Sequence, residues 1–140
     1  MTGVTAAEFS EIIRESLPFA EVLGAEIVAM GDGHATARMP FRADFLRPGG
    51  TISGPMLMGL ADLVVYAAVL SRIGRVELAV TTSLTINFLR KPAPAAIIAE
   101  ARLLKLGRRL AVGEVEMFTE GDSDMVAHVV ATYSIPPNRR

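Results

Sequence analysis

Asp62 is the only charged side chain between Pro48 and Ser71, and it lies in an apolar stretch with helical spacing. An ionised carboxylate in apolar surroundings is costly unless it is paired, hydrogen-bonded or turned toward a wet cleft. A carboxylate held in this way can take a proton from water as a general base, or attack a carbonyl carbon as a nucleophile. Asp62 could instead satisfy a buried Ser or backbone group, or pair with an Arg across a subunit interface.

The loop that precedes this stretch, Pro48 to Pro55, could supply a second chemical group. Backbone N–H groups at a helix amino terminus stabilise negative charge on a carbonyl oxygen under attack, helped by the helix dipole. Gly54 is the candidate donor for such an oxyanion. Pro55 has no N–H, but its restricted φ suits the first turn of a helix. The loop therefore predicts an oxyanion site with few donors.

Ser53 has two interpretations, as the N-cap of this helix or as a weak nucleophile. The chain has no G-x-S-x-G motif, and only His34 and His128 could act as the base for a serine. Both histidines lie in alternating strand patterns, which favours structural positions at or near the surface. Because there are two His and no Cys, we expect no metal site and no cofactor.

Hydrophobic periodicity predicts the elements that carry these residues. We expect helices over 5–17 and 55–70, ended by Pro18 and by the segment 71–74, and strands over 25–30, 34–39, 76–88, 97–106, 110–118 and 125–135. Gly31-Asp32-Gly33 is a strong hairpin turn, because Gly tolerates positive φ. The last four strands are expected to form a meander. This order predicts an α+β fold in which an antiparallel sheet wraps around one buried helix.

The alternation in the strand over 76–88 predicts which side chains share a face. One face should carry Val76, Leu78, Val80, Leu84, Ile86 and Phe88, and the other Thr81, Ser83, Thr85 and Asn87.

Three segments, 47–55, 60–62 and 85–90, resemble the hot dog fold acyl-CoA thioesterases of the phenylacetate (PaaI-like) type. That family typically has Asn or Gln, then two residues, Gly, two more residues and His-Gly-Gly. An Asp or Glu follows nine positions after the His. Counting from Ser53 gives Asp62, and the register of the glycines is kept. Ser53 stands in place of the His, and two further site positions differ: Arg47 replaces the amide and Pro55 replaces the second Gly.

The resemblance implies a sheet of about six strands around the central helix, in a single domain over residues 1–140. It also implies hydrolysis of a small or medium acyl-CoA thioester, aliphatic or aryl. Asp62 would be the general base or nucleophile, and Gly54 N–H the oxyanion donor. Thr81 lies near the position at which this family has a Ser or Thr that hydrogen-bonds the acid. If the strand register is shifted, Ser83 would occupy that position.

Several further residues are expected to contact substrate: Arg47, Gly50, Pro55, Met58, Asn87, Arg108 and Arg109. Arg108 and Arg109 lie in a predicted turn that in this family approaches the phosphates of coenzyme A, which Arg binds well. Arg47 could hold a substrate carboxylate or phosphate, or lie against Asp62. Met58 could line a flexible acyl pocket or fill the core.

The resemblance also implies a homodimer or homotetramer, because in this family the acid and the facing glycine loop come from different subunits. A single layer of this kind leaves its central helix and sheet edge poorly covered, and the sequence has few charged residues to keep these surfaces in solvent. Both points also favour an oligomer. Two alternatives to a thioesterase remain: a non-catalytic module that binds acyl-CoA or lipid, and a hydratase. A hydratase would need a His near the acid, and none is close in sequence.

Composition excludes several other classes of function. With 140 residues, 51% of them hydrophobic, and a net charge of -1, the chain predicts one compact domain that binds neither nucleic acid nor an anionic membrane. The apolar run from 55 to 70 is shorter than the roughly 20 residues a bilayer needs. The first sixteen residues lack the apolar core of a signal peptide, and the chain has no Cys. We therefore expect a cytoplasmic location.

Overall fold

The computed structural model describes residues 3–137. The helices are α1 (Ala6–Ser16), α2 (Phe19–Leu23) and α3 (Gly54–Ile73), with a short 3-10 helix at Ala43–Phe45. The strands are β1 (Glu26–Gly31), β2 (His34–Met39), β3 (Leu46–Arg47), β4 (Thr51–Ile52), β5 (Val80–Phe88), β6 (Ile97–Leu106), β7 (Leu110–Thr119) and β8 (Met125–Ser134). Two predicted helices and six predicted strands are confirmed, and α2 and the β3–β4 hairpin were not anticipated.

α1 begins and ends where its local signals predict. The Thr5 side chain accepts a hydrogen bond from the N–H of Glu8, and the Glu8 carboxylate accepts one from the N–H of Thr5. This capping box satisfies two backbone donors that the helix start would leave free. After Pro18 the chain forms the five-residue α2, which ends at Gly24 with φ of 63°. α2 was not predicted, because a helix of five residues is too short to show a helical period.

Six strands form one antiparallel sheet in the order β1-β2-β6-β7-β8-β5. The β1–β2 hairpin turns at Asp32 and Gly33, both with positive φ, as predicted. The expected four-strand meander is wrong in one respect, because β5 pairs with β8 and not with β6. The segment 89–96, which contains Pro92 and Pro94, crosses from the edge to the middle of the sheet. No hairpin turn joins β5 to β6, so distant contacts decide where β5 pairs.

α3 lies across the inner face of this sheet. It is apolar around most of its circumference, as expected for a helix enclosed by protein, and most of its residues from Leu57 onward are buried. Many inward positions on the sheet are alanine, and all of these are buried: Ala35, Ala37, Ala99, Ala101, Ala111, Ala127 and Ala131. Small side chains let the helix approach the strands closely. The predicted α+β hot dog arrangement is confirmed.

The end of α3 lies three residues beyond the predicted Leu70. Gly74 ends the helix, and its N–H donates to the Leu70 carbonyl. Ser71 stays inside the helix because its hydroxyl donates to Ala68 O and accepts from Gly33 N–H. By length and mean hydropathy α3 could cross a membrane, but 72% of the apolar stretch is buried inside the protein. This burial agrees with the predicted core helix.

β5 differs from its prediction at its amino end. The strand begins at Val80 and not at residue 76, and a β-bulge interrupts its pairing with β8 between Thr81 and Ser83. A bulge adds one residue to one strand, so the alternation of side chains changes phase there. Thr81 consequently lies on the inner face with Leu84 and Ile86, and Val80 is exposed. The predicted grouping of Thr81 with Ser83 is wrong.

Candidate active site

Asp62 is half-buried on α3, where two hydroxyl groups converge on one of its carboxylate oxygens. Thr81 Oγ1 donates to Oδ1 of Asp62 at 2.5 Å, and the Tyr133 hydroxyl donates to the same oxygen at 2.7 Å. Within residues 3–137, Oδ2 of Asp62 receives no hydrogen bond. The acid is therefore held by one oxygen while the other is available to a water molecule or a carbonyl carbon.

Tyr133 was not predicted as a site residue. Its ring stacks on Tyr66 with centroids 6.0 Å apart, and Phe9 packs edge-on against Tyr66 at 5.6 Å. Burial raises the pKa of Tyr133, and the neighbouring Asp62 carboxylate raises it further, so the phenol remains a proton donor. Burial also raises the pKa of Tyr66, whose hydroxyl donates to the Glu77 carbonyl at 3.0 Å. In the sequence Tyr133 looks like an ordinary inward aromatic, because nothing local distinguishes it from the core residues of β8.

A cavity of about 420 Å³ opens beside Asp62. Its walls are mainly apolar and come from the end of α1, from α2, from α3 and from the segment leading into β5. The lining side chains include Leu17, Phe19, Leu23, Leu63, Tyr66 and Leu78. Asp62, Thr81 and Tyr133 are among its polar residues. A cavity of this size and character suits a small apolar group next to a carboxylate.

The Gly54 end of α3 forms a separate region. Ser53 occupies the N-cap position, but its side chain makes no capping hydrogen bond. The Ser53 carbonyl accepts from the N–H groups of Met56 and Leu57. Gly54 is the first residue of the helix, where N–H groups have no partner within the helix, and Pro55 has no N–H. A Cβ at Gly54 would lie 3.1 Å from Phe88 Cζ, so the helix start and the end of β5 are in close contact.

A second cavity, of about 450 Å³, lies at this end of the helix. Its lining brings Arg47 together with Gly54, and Arg90 and Lys91 add further positive charge. Arg90 also forms an ion pair with Asp124. The region therefore combines an unpaired helix amino terminus with cationic side chains, a combination that favours anionic groups.

The two regions are too far apart to act on one carbonyl within a single chain. Gly54 and Asp62 are eight positions apart on α3, which is about 12 Å along a helix axis. A reacting carbonyl must lie within about 3 Å of both groups. Within a single chain, the Gly54 N–H and the Asp62 carboxylate therefore cannot both contact one carbonyl group.

The other predicted residues lie at several places. Gly50, with φ of 75°, forms the β3–β4 turn, where its N–H donates to Arg47 O. Met58 is 41% exposed on α3 and lines neither cavity. Asn87 is exposed on β5 and pairs across the strands with His128. Arg108 and Arg109 form the exposed β6–β7 turn, at the end of the sheet that holds Tyr133.

Neither histidine is placed to serve Ser53. His128 lies on the outer face of the sheet beside Glu114, at 2.9 Å, and His34 is exposed at the β1–β2 turn. The sheet separates His128 from α3. Ser83, the alternative to Thr81, is exposed and directed away from Asp62. Among residues 3–137, no group of three His, Cys, Asp or Glu side chains could hold a metal ion.

Comparison with known proteins gives consistent matches. Residues 49–126, more than half of the chain, match the model of the thioesterase superfamily. A Silicibacter protein provisionally named a thioesterase is 43% identical, with a TM-score of 0.87 over 98% of this chain and 95% of that one. A variant of the phenylacetic acid degradation protein PaaI from Thermus thermophilus is 32% identical, with a TM-score of 0.76 over 85% and 99%. The E. coli PaaI protein is 25% identical, with a TM-score of 0.82 over 94% and 93%.

Proposed function

This chain belongs to the thioesterase superfamily, and we propose that it hydrolyses the thioester of a small or medium acyl-CoA with Asp62 as the general base. The observation that carries this proposal is the Asp62 carboxylate, whose Oδ1 accepts from Thr81 and Tyr133 beside an apolar cavity. Thioester hydrolase activity is the common element of the family match, and the acyl-CoA substrate and the residue roles are our proposal.

The proposed reaction uses only groups of the protein and water. Oδ2 of Asp62 takes a proton from a water molecule, and the water oxygen attacks the thioester carbonyl carbon. The Gly54 N–H, aided by the helix dipole, stabilises the oxyanion that forms. The carbon–sulfur bond then breaks, and Asp62 gives its proton to the departing sulfur of coenzyme A. The products are a carboxylic acid and free coenzyme A.

Asp62 could alternatively act as a nucleophile that forms an acyl anhydride. We favour the general base because Asp62 lines a cavity of about 420 Å³, a volume that could hold a water molecule beside a small acyl group. A single turnover in heavy-oxygen water tests for the nucleophilic route. Label in Asp62 would show an anhydride that water opens at the Asp62 carbonyl, because a general base never acquires the label.

We propose that the complete site requires two copies of the chain. β5 lies at an end of the six-strand order, and its flanks carry exposed apolar side chains: Leu78 (82%), Val80 (57%), Phe88 (53%) and Leu89 (57%). Antiparallel pairing of β5 with β5 of a second copy about a two-fold axis would bring the Thr81 end next to the Phe88 end. That arrangement would place Gly54 of one copy opposite Asp62 of the other, in a dimer or a dimer of dimers.

The two cavities support a division of the substrate between them. The apolar cavity beside Asp62 would take the acyl group, and its 420 Å³ favours a small or medium chain or a single aryl ring. The anionic phosphates of coenzyme A would lie against cationic side chains, with Arg47 near Gly54 and with Arg108 and Arg109 at the other end of the sheet. Asn87 and Met58 would contact substrate only through the dimer interface.

The proposed reaction needs no metal and no cofactor, and we propose that it occurs in the cytoplasm. Prolonged treatment with a chelator should leave the rate unchanged. A loss of activity that added metal restores would contradict this part of the proposal.

A binding module is the second candidate function. It is favoured by the helix start, where Pro55 removes one N–H and where the Ser53 hydroxyl caps no backbone group. Loss of one oxyanion donor in other enzymes costs on the order of 10²–10³ in rate. A chain with this helix start could bind acyl-CoA tightly and turn it over slowly or not at all.

Free-thiol release from a panel of short, medium, long and aryl acyl-CoAs tests the proposal. Asp62→Asn should lower kcat by roughly 10²–10⁴, because it removes the proton acceptor and keeps the shape of the side chain. Asp44→Asn is the matched control, since Asp44 is an exposed aspartate that lines neither cavity, and its kcat should stay near that of the wild type. Both variants are compared at equal oligomeric state.

Two outcomes would contradict the thioesterase proposal. Unchanged turnover in Asp62→Asn would exclude Asp62 as base or nucleophile. Saturable acyl-CoA binding without thiol release by the wild type would identify the binding module.

A further inference from the structure

We infer that Tyr133 is a positioning residue, which together with Thr81 holds Oδ1 of Asp62 so that Oδ2 faces the reacting water. This inference rests on the proposed function, and it assigns a role to a residue that the family resemblance did not identify.

Thr81 and Tyr133 are directly opposed partners on the neighbouring strands β5 and β8. Opposed residues of an antiparallel pair direct their side chains to the same face of the sheet. The bulge at residues 81–83 is confined to β5, and it brings Thr81 to the inner face that Tyr133 already occupies. The two hydroxyls therefore reach Asp62 as a pair from one cross-strand position.

The Tyr133 side chain is held in a rigid position. It is 3% exposed and its ring stacks on Tyr66. Its hydroxyl lies 2.7 Å from Oδ1 of Asp62 and 3.0 Å from the backbone carbonyl of the same residue. A phenol has one proton to donate, and the nearer, charged oxygen is the stronger acceptor. A fixed donor on one oxygen limits rotation of the carboxylate and directs the other oxygen into the cavity.

Both donors are uncharged hydroxyls, so they fix the orientation of the carboxylate without forming an ion pair with it. The titratable groups around Asp62 are Tyr133 on β8, Tyr66 on α3 and Glu77, and Glu77 is paired with Arg75 at 2.6 Å. Burial and the Asp62 charge raise the pKa of Tyr133, so the phenol does not compete to lose its proton.

Replacement of each tyrosine by phenylalanine tests the inference. Tyr133→Phe removes the hydroxyl, so kcat should fall about tenfold while KM changes little, because the carboxylate loses a fixed donor and the cavity keeps its shape. Tyr66→Phe is the matched control, because Tyr66 is a buried tyrosine of the same stack whose hydroxyl contacts Glu77 and not Asp62. Any effect of Tyr66→Phe should fall on KM, and its kcat should not show the tenfold loss.

The Thr81 variants check the other donor. Thr81→Val should lower kcat as Tyr133→Phe does, and Thr81→Ser, which keeps a hydroxyl, should retain it. An unchanged kcat in Tyr133→Phe, with a loss of thermal stability equal to that of Tyr66→Phe, would show a merely structural role and overturn the inference.

The carboxyl-carbon NMR signal of Asp62 at one fixed, neutral pH reports the hydrogen bonds of the carboxylate and does not depend on turnover. Its chemical shift should change in Tyr133→Phe and stay constant in Tyr66→Phe. If the signal changes but Asp62→Asn retains full activity, the positioning contact stands and the proposed function fails. If Asp62→Asn is inactive but the signal does not change, the inference about Tyr133 fails by itself.

Discussion

Two carboxylates of this protein, Asp62 and Glu114, lie on opposite faces of the sheet in different settings. Asp62 accepts from uncharged hydroxyls on the inner side. Glu114 on β7 lies on the outer face between two basic residues, at 2.5 Å from Arg102 and 2.9 Å from His128. The His128 hydrogen bond lowers the pKa of Glu114, and Arg102 lowers it further. The inner acid is suited to chemistry, whereas the outer acid contributes to stability.

The pH dependence of unfolding should report the Glu114 cluster. Because its pKa is lower in the folded state than in the unfolded chain, the stabilisation is fully present above the ordinary Glu value and is lost as pH falls through the folded value. Glu114→Gln should therefore flatten the decline in unfolding free energy below about pH 4. Urea unfolding at several pH values measures this decline.

Glu100→Gln is the control for that measurement, since Glu100 is an exposed glutamate on the adjacent strand β6 and the same face. Its curve should follow the wild type. Equal slopes for wild type and Glu114→Gln would show that the cluster does not contribute to acid stability.

At the scale of elements, α2 forms a wall of the cavity beside Asp62, which we propose takes the acyl group. It is a single turn between Pro18 and Gly24, and its Phe19 ring lies over α3 at Gly59. A Cβ at Gly59 would be 2.8 Å from the Phe19 ring, so glycine is what allows the close approach one turn before Asp62. The size of the cavity therefore depends on one aromatic side chain that is 47% exposed.

Phe19→Ala should enlarge the acyl cavity. We expect the ratio of kcat/KM for longer acyl-CoAs to that for short ones to rise by roughly 10-fold, because the enlarged cavity would bury about two additional methylenes at about 0.8 kcal/mol each. Val22→Ala is the control, since Val22 lies on the same helix with 52% exposure and does not line the cavity. The same preference in Phe19→Ala and wild type would show that α2 does not contact the acyl group.

For the whole molecule, α3 separates Gly54 from Asp62 by about 12 Å along the helix axis. In the dimer that we propose, β5 of one copy would run antiparallel to β5 of the other across a two-fold axis. Each Gly54 would then lie opposite the Asp62 of the other copy, which gives two complete sites per dimer. Activity should consequently depend on assembly.

Mixing two inactive variants tests the shared site. Asp62→Asn removes the acid half, and Gly54→Val obstructs the other half, because its side chain would collide with Phe88. Co-refolded in equal amounts, they should recover about a quarter of wild-type activity, since half of the dimers are mixed and each mixed dimer has one intact site. Each variant refolded alone is the control. No recovery in dimers shown to be mixed would place the complete site within one chain.

The residues of the candidate site differ in how far local sequence predicts them. Asp62 was found because a lone charge in an apolar helix is conspicuous, and Gly54 because it begins that helix before a proline. Thr81 was identified from the resemblance, but the alternation of β5 assigned it to the wrong face. Tyr133 was missed because its sequence context is that of a core strand residue.

The sequence by itself determined two of the three α-helices, six of the eight strands, the α+β class and the acid, because periodicity, caps and glycine turns act between residues close along the chain. Only the tertiary structure decided that β5 pairs with β8, that a bulge turns Thr81 inward and that Tyr133 meets Asp62. Strand pairing and bulges depend on contacts between distant segments. Tyr133 and Asp62 are 71 positions apart in the sequence, so no pattern of neighbouring residues predicts their contact.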